Sequence, residues 1–173
     1  YKPENQPWWS PLPRISKVTS HEIKSKADDI DVLLVTAVDP ELEAVLRRLK
    51  PYPRRRAVIK GVVEQETYYL GRFGACTVAV TKCRMGSLDP GSATLAVQHA
   101  QRVLRPRAVI MVGIAFGKDP LKQKLGDVLV ASQMISYEPQ RVGEKQVVHR
   151  GSAPPANPTL LNRFEDVVGW EFP

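Results

Sequence analysis

Glu41 is the residue of this chain whose type and position are best suited to chemistry. It lies six residues beyond the short apolar run Val32–Val35, and Asp39 and Pro40 come directly before it. A carboxylate in such a place can orient a water molecule and take a proton from it. Open α/β sheets bind their ligands beyond the carboxyl ends of their strands. We therefore single out Glu41 as the leading candidate for a functional residue at such an edge.

Two further turns are expected at the same edge of the sheet. One is Lys82–Gly86 and the other is Gly113–Gly117, and each follows an apolar strand. A short glycine-bearing turn lets backbone N–H groups approach a small ligand closely. A simple tight turn explains the same glycines equally well, and their spacing matches neither the dinucleotide nor the phosphate-loop pattern. The sequence thus predicts three adjacent turns without naming their ligand.

The elements that position Glu41 are a strand and a helix. Val32–Val35 is a continuous apolar run, which is typical of a strand buried on both faces. Asp39 is a suitable N-cap, and Pro40 suits the first helical position. One apolar helical face follows, made of Leu42, Val45, Leu46 and Leu49. The pattern predicts a helix that carries Glu41 in its first turn.

The rest of the chain alternates strands and helices. Strands are predicted at 57–63, 67–73, 75–81, 108–112, 127–131, 134–137 and 146–149. Helices are predicted from Asp89-Pro90 to Leu104, and from Asn157-Pro158 to about residue 168. This alternation predicts an α/β fold with a mixed central sheet flanked by helices.

Residues 1–29 differ in composition from the residues that follow. They are rich in Pro, Lys and Ser, which favours an arm or linker without regular structure. Residues 30–173 are predicted to form the folded domain. Trp8-Trp9 is the exception within the arm, and it suggests a segment that docks on its own domain or, alternatively, on a partner.

Composition and residue spacing argue against several classes of protein. Of 173 residues, 43% are hydrophobic, and no apolar run approaches the roughly 18 residues of a membrane-spanning helix. The net charge of +7 is scattered apart from Arg54-Arg55-Arg56, which lacks interleaved aromatic residues, so nucleic acid is not the expected partner. No metal-ligand spacing is present, and neither a metal nor a cofactor is expected. Two isolated cysteines, Cys76 and Cys83, favour a cytoplasmic protein without a disulfide.

Four segments resemble the nucleoside phosphorylase/nucleosidase superfamily in order, spacing and strand context. They are DVLLVTAVDPELEAV at 31–45, VAVTKCRMG at 78–86, PRAVIMVGIAFG at 106–117 and KLGDVLVASQMISYE at 124–138. In the methylthioadenosine/S-adenosylhomocysteine nucleosidases of this superfamily, a Glu at the position of Glu41 activates the attacking water. The resemblance implies that role for Glu41. It also implies that the substrate-binding residues are Ala37, Val38, Arg84, Met85, Gly86, Gly113, Ile114, Ala115, Phe116 and Gly117.

Departures from the family pattern favour hydrolysis over phosphorolysis. Hexameric phosphorylases have an Arg before the glycine turn and a Ser within it. In this chain, Met111 and Ile114 occupy the corresponding positions. Neither side chain can bind phosphate, which needs cationic groups, hydroxyls and free N–H groups. Asp39 and Glu41 would repel phosphate but suit a water molecule. Arg84 could still supply one phosphate contact, so the alternative stays open.

The resemblance implies an enzyme that cleaves the N-glycosidic bond of a purine nucleoside or nucleotide with water. The segment after residue 134 resembles versions of this domain that are fused to other modules in immune-like and antiphage proteins, which implies an effector domain and a homo-oligomer. Basic residues at Lys82, Arg84 and Arg141 would suit a phosphorylated substrate such as ATP. Two alternatives remain, a nucleoside-binding module without turnover and a phosphate-dependent phosphorylase.

The superfamily also has a Met-Glu ribose clamp and a general-acid Asp in the C-terminal third of its domain. No match to either occurs before Pro173. We therefore expect this chain to cover the N-terminal part of the domain, within a longer protein, and the fold to be incomplete at its C-terminal end.

Overall fold

A computed structural model describes residues 10–84, 92–119, 121–134, 140–142, 147–149 and 154–166. The chain divides into two compact units, Tyr1–Ile114 and Ala115–Pro173. Met85, Gly86, Trp8-Trp9 and most of the strand predicted at 134–137 lie outside the described residues.

The described part of the first unit forms a six-stranded mixed sheet with helices. Its elements are β1 Ile15–Lys17, α1 Ser20–Lys24, a 3-10 turn at Ala27–Asp29, β2 Val32–Thr36, α2 Asp39–Arg48, β3 Val58–Val63, β4 Glu66–Phe73, β5 Cys76–Lys82, α3 Ala93–Leu104 and β6 Ala108–Met111. The strand order is β1-β3-β4-β5-β2-β6. The pairs β1–β3, β2–β5 and β2–β6 are parallel, whereas β3–β4 and β4–β5 are antiparallel. The predicted α/β class with a mixed sheet is confirmed.

Strand β2 lies between two parallel neighbours and is buried on both faces. Leu33 and Val35 join one apolar cluster, which includes Ala96, Ala100 and Leu104 of α3. Leu34 joins a second cluster, which includes Val45 and Leu46 of α2 and Leu49 just after it. The two clusters explain why β2 is apolar at successive positions instead of alternating, since neither of its faces meets water. Helices α2 and α3 therefore cover the sheet and hold the carboxyl end of β2 in place.

The expectation that residues 1–29 lack regular structure is wrong for residues 15–29. Strand β1 pairs with β3 in parallel, and α1 is capped by the Thr19 hydroxyl, which accepts from the Glu22 N–H. Ile23 is completely buried in the same cluster as Leu33. Polar residues dominate the composition of residues 15–29, but one well-placed apolar side chain and one free sheet edge are enough to order this segment. Tertiary contacts override composition here.

The helix boundaries differ slightly from the predicted ones. Helix α2 begins at Asp39, so the N-cap is Val38, not Asp39, and Pro40 occupies the second helical position. Helix α3 begins at Ala93 with Ser92 as its N-cap, and Asp89-Pro90, the predicted start, lies outside the described residues. Both helices end near their predicted residues. The shift in α2 matters for function because it places Glu41 at the third helical position.

The second unit contains little regular structure in its described part. Strands β7 Gln140–Val142 and β8 Val147–His149 pair in antiparallel fashion, and α4 spans Pro158–Glu165 with the Asn157 side chain as its cap. The predicted strand at 127–131 is wrong, because these residues form no ladder. Val128, Leu129 and Val130 are 60%, 45% and 45% exposed. An apolar run forms a strand only where a neighbouring strand supplies hydrogen bonds.

None of the helices in the described part of the chain combines the length and the apolar character that crossing a bilayer would require.

Gly61 provides a test of how β1 and α1 pack on the sheet. A methyl group on Gly61 would overlap Ile23 and lie 3.3 Å from Val18 Cγ2. We expect Gly61→Ala to lower the free energy of unfolding by about 1–3 kcal/mol, because overpacking displaces the buried side chain. Urea denaturation measures the change, with Val62→Ala as the matched control, since Val62 is the next residue and is half exposed. Equal effects of the two variants would contradict the packing of residues 18–23 on β3.

Candidate active site

The Glu41 side chain folds back over the start of its own helix. Its Oε2 atom accepts hydrogen bonds from the N–H of Ala37, at 2.9 Å, and from the N–H of Val38, at 3.1 Å. A Glu at the third helical position that reaches back to the N-cap N–H is half of a capping box. Its negative charge also lies at the positive end of the helix dipole. The turn between β2 and α2 is therefore held by the carboxylate itself.

The same carboxylate also binds the turn that follows β6. The N–H of Ile114 donates to Glu41 Oε1 at 2.8 Å, and the N–H of Val112 donates to the Val35 carbonyl at 2.9 Å, continuing the ladder beyond β6. Gly113 lies between them, and a Cβ atom there would be only 2.9 Å from Glu41 Oε1. Glycine at this position lets the Glu41 carboxylate approach the turn closely. The approach of this turn to a ligand stays a prediction.

The hydrogen-bond donors of the described residues leave one acceptor position on the Glu41 carboxylate. An ionised carboxylate has about four lone-pair positions, two on each oxygen. Oε2 accepts two hydrogen bonds and Oε1 accepts one, so Oε1 can accept one more. A water molecule that donates to this position would have its oxygen lone pairs directed away from the protein. Such an arrangement can orient a nucleophile.

The environment keeps Glu41 ionised. Burial by itself would raise the pKa of the carboxyl group, but the N–H groups of Ile114, Ala37 and Val38 stabilise the charged form and lower the pKa below its ordinary value of 4.5. Glu41 is therefore a carboxylate at neutral pH. A low pKa makes it a weak base, so its main capacity is to orient and to supply negative charge.

The end of β5 completes the described part of this edge. Lys82 is opposite Thr36 in the β2–β5 register, and the N–H of Cys83 donates to the Thr36 carbonyl at 2.9 Å. The Lys82 Nζ atom lies 2.6 Å from Asp39 Oδ1. Cys83 is buried, and burial raises the pKa of its thiol, so this cysteine has the properties of a packing residue.

The structure brings together five of the residues predicted for the site, namely Ala37, Val38, Glu41, Gly113 and Ile114. Arg84 lies just beyond β5 with an exposed side chain, and Met85 and Gly86 are outside the described residues. Ala115, Phe116 and Gly117 belong to the second unit, as does Arg141 in β7. The roles of all these residues in substrate binding stay predictions.

Sequence reasoning missed the bond between Glu41 and Ile114 and the ion pair between Lys82 and Asp39. The sequence did contain a signal for the bonds that Glu41 accepts from the N–H groups of Ala37 and Val38. With Val38 as the N-cap, Glu41 has the spacing of the acidic member of a capping box. No comparable signal exists for the other contacts, since their partners are distant in sequence.

A second polar network lies away from the Glu41 turn. The buried Tyr68 hydroxyl is 2.7 Å from His99 Nδ1, and His99 Nε2 is 2.8 Å from Glu64 Oε2, which also accepts from Arg102. Burial raises the pKa of Tyr68, so its hydroxyl stays protonated. The Glu64 carboxylate can only accept a hydrogen bond, so His99 Nε2 is the donor of the bond between them. Through these bonds, His99 ties α3 to the β3–β4 hairpin.

The part of the chain that the structure describes contains no group of three or more His, Cys, Asp or Glu residues that could hold a metal ion.

The fold agrees with the comparison to known proteins. The family model described as Phosphorylase superfamily matches residues 31–169, so the chain belongs to the phosphorylase superfamily. The match covers β2, β5 and β6 and their three turns.

One curated relative is a protein of the sponge Amphimedon queenslandica named "Death domain-containing ATP nucleosidase". It is 34% identical to this chain over 143 residues. The matched region is 79% of this chain but 26% of the relative, so the chain spans about a quarter of that protein.

The pKa of Glu41 predicts a dependence of stability on pH. A group whose folded pKa lies below its unfolded value contributes stability above the unfolded pKa, here 4.5, and loses that contribution as the pH falls through the folded pKa. We expect the difference in unfolding free energy between the wild type and Glu41→Gln to be constant near neutral pH and to shrink below pH 4.5. Denaturation curves at several pH values measure it. A difference that does not change with acidification would contradict the ionised network.

Gly113→Ala tests the contact between the two turns. The added methyl group would displace the Glu41 carboxylate from the Ile114 N–H. We expect stability to fall by about 1–3 kcal/mol, since a hydrogen bond to a charged group is lost, and the Ile114 amide to exchange faster with solvent. Denaturation and amide hydrogen exchange measure these effects, with the neighbouring Val112→Ala as control. Unchanged exchange at Ile114 would show that the bond does not protect this turn.

Proposed function

We propose that this domain cleaves the N-glycosidic bond of purine nucleosides or nucleotides with water that Glu41 holds in place. The observation that carries the proposal is the Glu41 carboxylate, fixed by three backbone N–H groups beside the ends of β2 and β6 with one acceptor position left on Oε1. Membership of the phosphorylase superfamily supports cleavage of a nucleoside glycosidic bond.

The reaction follows from the charge of Glu41. The bond between C1′ and the purine nitrogen breaks, the base leaves with the electron pair, and C1′ gains positive charge. The ionised carboxylate stabilises that charge and directs the water oxygen towards C1′. As the new C–O bond forms, the water becomes acidic and its proton passes to Glu41, so a weak base suffices. The departing base takes a proton from solvent, and Glu41 returns to solvent the proton that it took from the water. The products are therefore the free base, with one added proton, and the sugar with a hydroxyl group on C1′.

Hydrolysis is favoured over phosphorolysis by the contacts of the turn after β6. The Ile114 N–H, which would otherwise be free to bind an anion, donates to Glu41 instead. The side chains of Met111 and Ile114 are 53% and 75% exposed and offer no group for phosphate. A phosphate that attacks C1′ would have to lie against Glu41 itself, and the negative charge of Glu41 would repel it. We therefore propose water as the nucleophile.

The name of the relative supports ATP as the first substrate to test. Its length supports the further proposal that this domain acts while joined to other domains. An effector role in defence and a homo-oligomeric state belong to the same proposal.

Glu41→Gln tests the catalytic role. We expect release of adenine from ATP by the intact protein, followed by chromatography, to fall at least about 100-fold, the usual contribution of a positioned acid or base. Glu43→Gln is the matched control, because Glu43 is an exposed carboxylate on the same helix that pairs with Arg47. We expect the control to stay within about twofold, as surface ion pairs contribute little.

Glu41→Gln also changes the hydrogen bonds of the turns, since its amide NH2 must face at least one backbone N–H. Glu41→Asp therefore serves as a second variant, because it retains the charge but shortens the reach. Unchanged adenine release in both variants, with the fold intact by circular dichroism, would overturn the role of Glu41. Binding of ATP by calorimetry without any base release would instead support a binding module, and release that requires added phosphate would support a phosphorylase.

A further inference from the structure

We propose that Lys82 binds a phosphate group of a nucleotide substrate, and that Asp39 competes with the phosphate for Lys82. The inference rests on the proposed function and names the residue pair that makes this site select phosphorylated nucleosides. Its basis is an ion pair at the edge of the sheet where Glu41 lies.

Lys82 is close to Glu41 for a topological reason. Strands β2 and β5 are parallel neighbours, and Lys82 is opposite Thr36, the last residue of β2. The bond from the Cys83 N–H to the Thr36 carbonyl extends this pairing beyond the strand. The side chain then crosses to the first turn of α2, where Nζ meets Asp39 Oδ1 at 2.6 Å.

Asp39 and Glu41 lie two residues apart in the same helical turn. Helix geometry separates their Cα atoms by about 5 Å. The Lys82 ammonium group, in contact with Asp39, therefore lies within a few ångströms of the turn that holds the reacting carboxylate. One nucleotide can reach both groups, with its anomeric carbon near Glu41 and a phosphate near Lys82.

The two carboxylates of this turn are neutralised in different ways. Glu41 is engaged by three backbone N–H groups, which are fixed parts of the fold. Asp39 is paired with Lys82, and their side chains are 74% and 39% exposed. A surface ion pair of this kind is weak and is screened by salt. The Lys82 ammonium group can therefore exchange Asp39 for another anion, whereas Glu41 keeps its three N–H donors.

A phosphate group is a strong competitor for Lys82. It carries up to two negative charges and three acceptor oxygens, whereas Asp39 offers one charge and a single contact to Nζ. An unphosphorylated nucleoside offers no anion, so the Lys82–Asp39 pair stays intact when it binds. The pair thus favours nucleotides over nucleosides, and Asp39 sets how large the advantage is.

Arg84 adds a second positive charge near this position. It lies two residues after Lys82 and its side chain is exposed. Among the residues that the structure describes, no carboxylate lies within ion-pair distance of it. Arg84 can therefore contact a further phosphate without giving up a carboxylate of the described residues, whereas Lys82 must first release Asp39.

Three variants of the intact protein test the proposal, with kcat/KM for adenine release measured on ATP and on adenosine. We expect Lys82→Met to lower the ratio of the ATP value to the adenosine value about tenfold or more, because a hydrogen bond between charged groups is lost. We expect Asp39→Asn to raise the same ratio, since the competitor is removed, and Lys82→Arg to retain most of it.

Lys26→Met is the matched control. It also removes one positive charge and breaks a surface pair with an aspartate, Asp29, but it precedes β2 and so lies at the amino end of that strand. We expect the control to leave the ratio unchanged. An equal effect of Lys82→Met on both substrates, or a ratio that Asp39→Asn lowers, would overturn the role of the pair.

A failure of the proposed function is distinguishable from a failure of this inference. If the wild type releases no base from either substrate, the proposed function is wrong, and calorimetric binding of ATP and adenosine then decides the role of Lys82. Weaker binding of ATP but not of adenosine by Lys82→Met would support it. Identical binding of ATP by Lys82→Met and the wild type would overturn it.

Discussion

The charge of Glu41 is balanced by backbone N–H groups, and the geometry of the candidate site depends on those three hydrogen bonds. Two of the donors, at Ala37 and Val38, belong to the turn that carries Glu41, and the third, at Ile114, is 73 residues away in sequence. One carboxylate therefore fixes two turns and is fixed by them. Because backbone donors belong to the strands and helices of the fold, this position does not rely on flexible cationic side chains.

This arrangement has a chemical cost and a chemical benefit. The N–H groups hold the pKa of Glu41 below its usual value, which weakens it as a base. The same bonds preorganise the carboxylate, so little reorganisation is needed when positive charge develops on a substrate. Cleavage of a glycosidic bond suits this compromise, because its transition state resembles a cation and needs only a weakly activated nucleophile. The site is thus better suited to a reaction in which the bond to the leaving group breaks before the nucleophile attacks than to a reaction that needs a strong base.

The surroundings of the site divide into fixed and exchangeable contacts. Strand β2 is buried between two clusters, and the Tyr68–His99–Glu64 network ties α3 to the β3–β4 hairpin. These contacts hold the sheet beneath the Glu41 turn. The pair between Lys82 and Asp39 is exposed and can exchange its partners. A rigid carboxylate beside an exchangeable cation is an arrangement in which binding and chemistry can be adjusted separately.

The amino-acid sequence by itself determined the local elements, because their signals are local. The apolar run 32–35 predicted the buried strand β2, and Pro40 with the face of Leu42, Val45 and Leu46 predicted α2, with its start correct to within one residue. The tertiary structure alone decided which distant groups meet. It brought the Ile114 N–H to Glu41, ordered residues 15–29 against β3, and left 127–131 outside any sheet. In each case the deciding factor is a partner distant in the chain, which no local spacing or composition encodes.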